Sequence, residues 1–437
     1  MHVIQNRAVA AVLVAIGLTA LLGAVPANAQ TACPYLMAPP PPVDLSEVPA
    51  PGAPVPTPLP RPTRPLGGPR MAECGLILPA GAPAPPEGIS AASWLVADAS
   101  SGEVLAAKDP HGRHRPASTI KLLTALLAAQ RLPPDQVVIA TPADAAQEGS
   151  RAGIGPGGAY TVRQLLTGLL LVSGNDTAHA LAQQMGGVAA TVEQMNRLAA
   201  KLGALDTRAA SPSGLDAPGM STSAYDLALV FRHVLRHPLL FELLNTPQTD
   251  FPGFGDRPGF RMSNDNRLLT NYPGAVGGKT GFTDDARHTY IGAAIRDGRP
   301  LIVVLLRGEQ QPVPMWEQAA RLLDYGFALP RDRAVGVLVN GAAPAPEPPR
   351  TTAPPAYPDA AARSDSVSPS NSVSPSNSVS PSDLASPSDS AAQPGHEVSR
   401  GPDQLVTTPL RVILWLALPV LLLAVLAGLV VRHRRRL

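Results

Sequence analysis

The sequence has little of what several common functions require. Its 437 residues carry a formal net charge of only +2, so it lacks the basic surface that nucleic-acid binding needs. None of its nine histidines has the spacing of a metal-ligand motif. It has only two cysteines, Cys33 and Cys74, so at most one internal disulfide is possible. We therefore expect no nucleic-acid partner and no metal site built on histidine.

Lysine is also scarce, because only four of the 35 basic residues are lysine: Lys108, Lys121, Lys201 and Lys279. Because the chain prefers arginine so strongly, its few lysines indicate positions where arginine would fit poorly. Arginine keeps its proton in proteins and cannot act as a base. Lysine can do so when burial or a nearby positive charge lowers its pKa.

The two ends of the chain predict export and membrane attachment. Arg7 precedes an apolar run over residues 8–25 and a small-residue cleavage site, so residues 1–29 are predicted to be a signal peptide, with an uncleaved anchor as the alternative. Residues 412–431 are apolar and long enough to span a bilayer, and the basic residues 432–437 predict a cytoplasmic tail. We expect a single-pass protein of the cell membrane whose globular domain is extracytoplasmic.

Much of the chain is too rich in proline to form a core. Residues 30–87 are predicted to form an extended arm. Residues 344–408 repeat a Ser-Val-Ser-Pro-Ser-Asn unit and are predicted to be a disordered linker. Residues 88–335 remain, which is enough for one large domain. Both cysteines lie in the arm, where a disulfide is favoured over a free or lipid-modified Cys33.

Within residues 88–335 the pattern predicts an α/β domain. The predicted strands are residues 94–97, 103–106, 289–296 and 300–307, the last two joined by the hairpin signal Asp297-Gly298. The predicted helices are residues 118–130, 161–171, 176–185, 223–235 and 315–326, the second opened by a Thr161–Gln164 capping box. Because strands come first and last, we expect a sheet that brings the two ends of the domain together.

Ser118 and Lys121 are the first candidates for chemistry. On a helix, residues three apart share a face, so the hydroxyl and the amine can meet. A serine hydroxyl is a weak nucleophile until a neighbouring base takes its proton. The apolar neighbours of Lys121 indicate burial, which would lower its pKa, whereas an exposed and incidental lysine is the alternative.

Two further motifs are weaker when taken singly. Ser173-Gly174-Asn175 lies between two predicted helices and on its own indicates a helix–helix turn. Lys279-Thr280-Gly281 ends a possible edge strand over residues 275–281, where glycine permits a ligand to approach the backbone. A lysine and a hydroxyl there would suit a carboxylate, and an ordinary loop is the alternative.

Together and in this order, the three motifs resemble the signature of the penicillin-recognising serine enzymes. Residues 114–118, 193–197, 211–216 and 278–283 are similar, more narrowly, to the low-molecular-mass serine D-alanyl-D-alanine carboxypeptidases. The resemblance covers about residues 90–330. It implies a β-lactamase/DD-peptidase-like α/β fold, in which an antiparallel sheet flanked by helices meets an all-helical subdomain at the active site.

The resemblance also implies roles. Ser118 attacks the carbonyl of the penultimate D-Ala, Lys121 takes its proton, and Ser173 relays a proton to the leaving D-Ala. The residues implied to bind the substrate are Asn175, Lys279, Thr280, Gly281 and Phe282, with the backbone N–H groups of Ser118 and Phe282 as the oxyanion hole. The implied activity removes the terminal D-Ala from peptidoglycan pentapeptide stems through an acyl-enzyme. β-Lactams would be covalent inhibitors, and no metal or cofactor is implied.

One departure and three alternatives remain. Many of these enzymes hold the substrate carboxylate with an arginine after the last strand, but residues 308–319 contain none, and Arg287 or Arg307 would have to substitute. A D,D-endopeptidase would use the same residues on cross-links. A class A β-lactamase would need a deacylating glutamate, which neither Glu193 nor Glu242 supplies at the expected position. A non-catalytic wall-binding protein would keep the fold without the chemistry.

Overall fold

A seven-stranded antiparallel sheet is the centre of residues 33–341, the part of the chain that this computed structural model describes. The strands are β1 (Leu76–Ile77), β2 (Ser93–Asp98), β3 (Glu103–Lys108), β4 (Val137–Ile139), β5 (Ala159–Thr161), β6 (Gln248–Phe251), β7 (Phe260–Ser263), β8 (Ala275–Thr283), β9 (Arg287–Arg296), β10 (Arg299–Gly308) and β11 (Gly336–Val337). The main sheet has the order β1-β3-β2-β10-β9-β8, and β11 also pairs with β3. The predicted hairpins β2–β3 and β9–β10 are confirmed, and β8 is an edge strand as expected.

The sheet joins distant parts of the chain, and both of its faces are apolar. Strand β10 pairs with β2, which lies about 200 residues earlier, and with β9 on its other side. Successive side chains of a strand point to opposite faces. Leu301, Val303 and Leu305 accordingly belong to one hydrophobic core, and the residues between them belong to the other. Both faces therefore need a covering layer of helices.

The helices supply these layers. They are α1 (Lys121–Arg131), α2 (Pro142–Ala145), α3 (Val162–Leu171), α4 (Asn175–Gln184), α5 (Val188–Leu202), α6 (Ala224–Leu235), α7 (Pro238–Leu244), α8 (Arg267–Asn271) and α9 (Met315–Ala328). Helix α9 packs on β9 and β10, and α6 packs on the other face against β2 and β10. Helix α1 contacts α3, α4, α5, α6 and α7, so it is the central helix of the helical subdomain. The predicted Thr161–Gln164 capping box opens α3.

The predicted helix over residues 118–130 needs a correction at its start. Ser118 lies in a 3-10 turn, Ala117–Ile120, and the α-helix begins only at Lys121. Ala117 has a φ of 46°, a left-handed conformation that a non-glycine residue adopts only under structural constraint. This tighter turn places Ser118, the candidate nucleophile, just before the N-terminus of α1 rather than within the helix.

The proline-rich arm lies against the domain. Cys33 and Cys74 form a disulfide, the pairing that the sequence favoured. Between them the chain is mostly without helix or strand, but the backbone carbonyls of Met37, Leu59 and Pro60 accept hydrogen bonds from Arg113.

Several predicted segments lie outside the described residues. These are the signal peptide (1–29), the linker (344–408), the transmembrane helix (412–431) and the basic tail (432–437). Among residues 33–341, no helix has the length and apolar character that a membrane crossing requires.

Candidate active site

Ser118 and Lys121 form a hydrogen-bonded pair at the start of α1. Lys121 Nζ lies 2.7 Å from Ser118 Oγ and 2.6 Å from the carbonyl oxygen of Ser213. The side chain of Lys121 is fully buried. Burial lowers the pKa of Lys121 well below its usual value, and the nearby charge of Lys279 acts in the same direction. A neutral amine beside the hydroxyl can accept its proton.

The loop after α3 brings Ser173 and Asn175 to the same place. Ser173 has a φ of 62°, and its hydroxyl is buried without a hydrogen-bond partner among the described residues. Asn175 donates through Nδ2 to the carbonyl of Glu148 at 2.6 Å, while its Oδ1 lacks a described partner. Buried polar atoms without partners are rare in folded proteins. Ser173 lines a cleft that Ser118 also lines, so a ligand in it could satisfy the Ser173 hydroxyl.

Asp176, which sequence reasoning did not single out, holds this region together. Its carboxylate accepts hydrogen bonds from the backbone N–H groups of Ala152, Gly153 and Ile154 at 2.8–3.2 Å. Asp176 thereby fixes the loop that carries Ser150, whose side chain lines the same cleft as Ser118 and Ser173. The sequence did offer one signal for Asp176, because this residue comes directly after the Ser-x-Asn motif.

Strand β8 forms the opposite wall. Lys279 is 1% exposed, and its Nζ donates to the carbonyl oxygen of Thr280 at 2.9 Å. Burial lowers the pKa of Lys279 to about 8, against the opposing effect of Asp265. A Cβ atom on Gly281 would lie 2.9 Å from the backbone nitrogen of Ser118, so only glycine permits this approach of β8 to the nucleophile turn.

A cleft of about 690 Å³ lies between these walls. Five of the eight predicted site residues line it: Ser118, Ser173, Thr280, Gly281 and Phe282. The other three, Lys121, Asn175 and Lys279, are buried behind the lining. The loop between β10 and α9 completes the cleft through Gln310, Gln311 and Pro314, and the first turn of α9 adds Trp316.

The cleft also contains an arginine that the sequence analysis missed. Arg267, at the start of α8, lines the cleft with its guanidinium 5.6 Å from the centre of the Trp316 ring. The two arginines considered from sequence are engaged elsewhere. Arg287 pairs with Glu309, and Arg307 donates to the carbonyl oxygen of Asp285. Arg267 lies twelve residues before Lys279, and nothing in its local pattern indicates the cleft.

Neither glutamate considered for a β-lactamase lies near this cleft. Glu193 is on α5 and pairs with Arg197, with a side chain 71% exposed. Glu242 is on α7, 62% exposed, and pairs with Arg163. The only carboxylate among the lining residues is that of Asp265.

A buried lysine held against a serine hydroxyl, facing a strand with a lysine and a threonine, defines a serine hydrolase of the acyl-enzyme type. Comparison with known proteins identifies the family. The D-alanyl-D-alanine carboxypeptidase family model, peptidase S11, matches residues 80–310, and the chain belongs to this family. The prediction of a serine carboxypeptidase is thereby confirmed.

Individual relatives agree. The chain is 46% identical over 266 residues to the D-alanyl-D-alanine carboxypeptidase DacB2 of Mycobacterium tuberculosis, which covers 60% of this chain and 90% of that protein. A crystal structure of a D-alanyl-D-alanine carboxypeptidase from M. tuberculosis H37Rv matches with a TM-score of 0.57 and 45% identity, over 60% of this chain and 99% of that one. The Streptomyces K15 DD-transpeptidase matches with a TM-score of 0.54 and 29% identity, over 56% and 100%. These neighbours confirm the DD-peptidase fold.

Proposed function

We propose that this protein removes the terminal D-alanine from peptidoglycan pentapeptide stems through an acyl-enzyme on Ser118. The observation that carries the proposal is the 2.7 Å contact between Ser118 Oγ and the buried Lys121 Nζ. In this first step Lys121 takes the hydroxyl proton while Oγ bonds to the carbonyl carbon of the penultimate D-Ala. The C–N bond to the last D-Ala then breaks.

Charge develops on the carbonyl oxygen during this attack. The backbone N–H groups of Ser118 and Phe282 are the proposed donors to it, consistent with the close approach of β8 to the nucleophile turn. Removal of one such donor typically costs a factor of about 100 to 1,000 in rate. The leaving amine needs a proton. The hydroxyl of Ser173, which has no hydrogen-bond partner within residues 33–341, is the proposed relay from Lys121.

The substrate's free carboxylate is the proposed ligand of Lys279, Thr280 and Arg267. Thr280 and Arg267 both line the cleft, and Lys279 supplies positive charge behind them. Asn175 is the proposed contact to the substrate backbone. Water then attacks the acyl-enzyme ester and releases the shortened stem, with Lys121 as the proposed base. β-Lactams would acylate Ser118 by the same route.

We also propose that the protein works outside the cytoplasmic membrane. The export signal over residues 1–29 and the apolar run over residues 412–431 support a single-pass anchor at the C-terminal side, with the linker between anchor and enzyme. Such a tether would keep the enzyme among peptidoglycan stems. Protease protection in sealed membrane vesicles checks this orientation.

The test is D-alanine release by the full-length chain in detergent micelles, given a peptide that ends in D-Ala-D-Ala. We expect release by the parent and loss of release in Ser118→Ala. Labelling by a fluorescent penicillin should disappear in the same variant. A folded parent that releases no D-alanine would overturn the proposal.

A cross-linked stem is the second candidate substrate, because a D,D-endopeptidase would use the same nucleophile pair, Ser118 and Lys121, in this cleft. Digestion of cross-linked muropeptides, analysed beside pentapeptide, would separate D,D-endopeptidase from carboxypeptidase activity.

A further inference from the structure

Two buried arginines lead into the nucleophile turn, and the arm supplies most of their partners. Arg113 is 1% exposed. It donates to the carbonyl oxygens of Met37, Leu59 and Pro60 at 2.6–3.2 Å, and its contact within the domain is Asp206 at 3.1 Å. A buried guanidinium is costly without such acceptors. The arm is therefore part of how this segment is held.

Arg115 is closer to the nucleophile and more strongly tied. It is 2% exposed and forms a two-point ion pair with Glu47 of the arm, with Nη2 to Oε2 at 2.8 Å. Its Nη1 donates to the carbonyl oxygen of Pro40 at 2.6 Å. Two-point pairs of this kind fix the geometry of both partners. Three residues along the chain from Arg115 lies Ser118.

The same part of the arm also holds the other wall of the cleft. Asp285 is buried, and its carboxylate accepts from the backbone nitrogen of Val43 and, at 3.2 Å, from Ser46 Oγ. Asp285 lies three residues after Phe282 in the turn that ends β8. Neighbouring residues of the arm, Ser46 and Glu47, therefore hold one wall each.

We propose that residues 37–60 form a strap that positions the nucleophile turn against β8, with Glu47 and Ser46 as positioning residues. This inference rests on the proposed function, since it assigns the strap to the acylation step. The walls approach so closely at Gly281 and Ser118 that a small displacement would separate the two proposed oxyanion donors. A displacement of about 1 Å can slow an enzymatic reaction about a hundredfold.

The experiment uses the full-length chain in detergent and measures acylation by a fluorescent penicillin. Glu47→Gln removes the arm's charge that faces Arg115 and leaves the Asp285 carboxylate, which lies 3.8 Å from the same guanidinium. Ser46→Ala removes the arm's hydroxyl that faces Asp285. Glu73→Gln is the matched control, because Glu73 is an arm carboxylate that is 48% exposed and, among residues 33–341, forms its ion pair with Arg70 of the arm. For each variant, the labelled fraction at saturation counts the folded sites, and the time course gives the rate per folded site.

We expect Glu47→Gln to acylate about tenfold more slowly per labelled site, with full labelling at saturation. Ser46→Ala should show a smaller slowing, and Glu73→Gln the parent rate. If Glu47→Gln lowers the labelled fraction but each labelled site reacts at the parent rate, the arm is merely structural and the proposal is wrong. Parent rates in all variants would overturn it as well. A parent that labels but releases no D-alanine would instead count against the proposed function.

Discussion

The two walls of the cleft each contain a buried lysine, yet they place it in different surroundings. Lys121 of the helical wall touches a hydroxyl and a carbonyl, and its pKa is lowered well below the usual value. Lys279 of the strand wall is close enough to Asp265 for that carboxylate to oppose the effect of burial, so its pKa is lowered only to about 8. The same side chain can thus be a neutral base on one wall and a cation on the other. Each lysine has a carboxylate that opposes burial, Asp176 for Lys121 and Asp265 for Lys279. The difference is that the positive charge of Lys279 lowers the pKa of Lys121 further.

The sharpest way to break this comparison is to replace each lysine by arginine. Lys121→Arg cannot give up its proton to become a base, so acylation by fluorescent penicillin should fall by about 1,000-fold or more. Lys279→Arg keeps the positive charge, so its acylation rate should fall much less. Stopped-flow labelling of both variants, with circular dichroism to check folding, makes the measurement. Equal losses in the two variants would contradict different roles.

The contact between the walls gives the next largest effect. Gly281→Ala would place a Cβ 2.4 Å from Thr289 Oγ1 and 2.9 Å from the nitrogen of Ser118, so β8 must move away. We expect a loss of about 100-fold in the acylation rate, because the proposed oxyanion donors separate. The melting temperature reports any general damage. A variant with the parent rate would show that this approach does not matter for acylation.

Arg267 belongs functionally with the strand wall in our proposal. Arg267→Gln should raise KM for a D-Ala-D-Ala peptide about tenfold, since a charge-assisted contact to the carboxylate is lost. A substrate whose terminal carboxylate is amidated should not distinguish parent from variant. If the amidated peptide suffers the same loss, Arg267 does not bind that carboxylate.

The smallest expected effect is in the pH profile. Lys121 must be neutral, so kcat/KM should rise as pH passes its lowered pKa. Lys279 must be charged, so kcat/KM should fall several-fold as pH rises through about 8. In Lys279→Arg the upper fall should vanish. If kcat/KM of Lys279→Arg still falls at the same pH, the fall is caused by the titration of another group.

How far the sequence leads depends on the distance between the partners. The β9–β10 hairpin and the Thr161–Gln164 capping box rest on neighbouring residues, and both were predictable. Ser118 and Lys121 are three residues apart, which allowed their meeting to be anticipated. The lining of the cleft by Ser173 and Thr280 follows from the family resemblance rather than from local pattern.

The features that could not be predicted from the sequence depend on contacts between residues far apart in the chain. Arg115 and Glu47 are separated by 68 residues, and no periodicity links a proline-rich segment to a buried arginine. Arg267 reaches the cleft only because α8 packs beside β8 and α9. The 3-10 turn at Ser118 was also missed, because its cause includes Thr289, whose hydroxyl donates to the carbonyl oxygen of Pro116 at 2.9 Å.

The pairing of β2 with β10 has a consequence for the order in which the protein matures. Strand β2 can pair with β3 as soon as the hairpin is made, but its other neighbour, β10, is synthesised about 200 residues later, and contacts so far apart in sequence slow folding. A nascent chain therefore remains without its complete central sheet through most of its synthesis. If the chain is exported as we propose, it stays incompletely folded and can pass through the translocation channel. The hydrolase then gains its activity only after β10 has crossed the membrane.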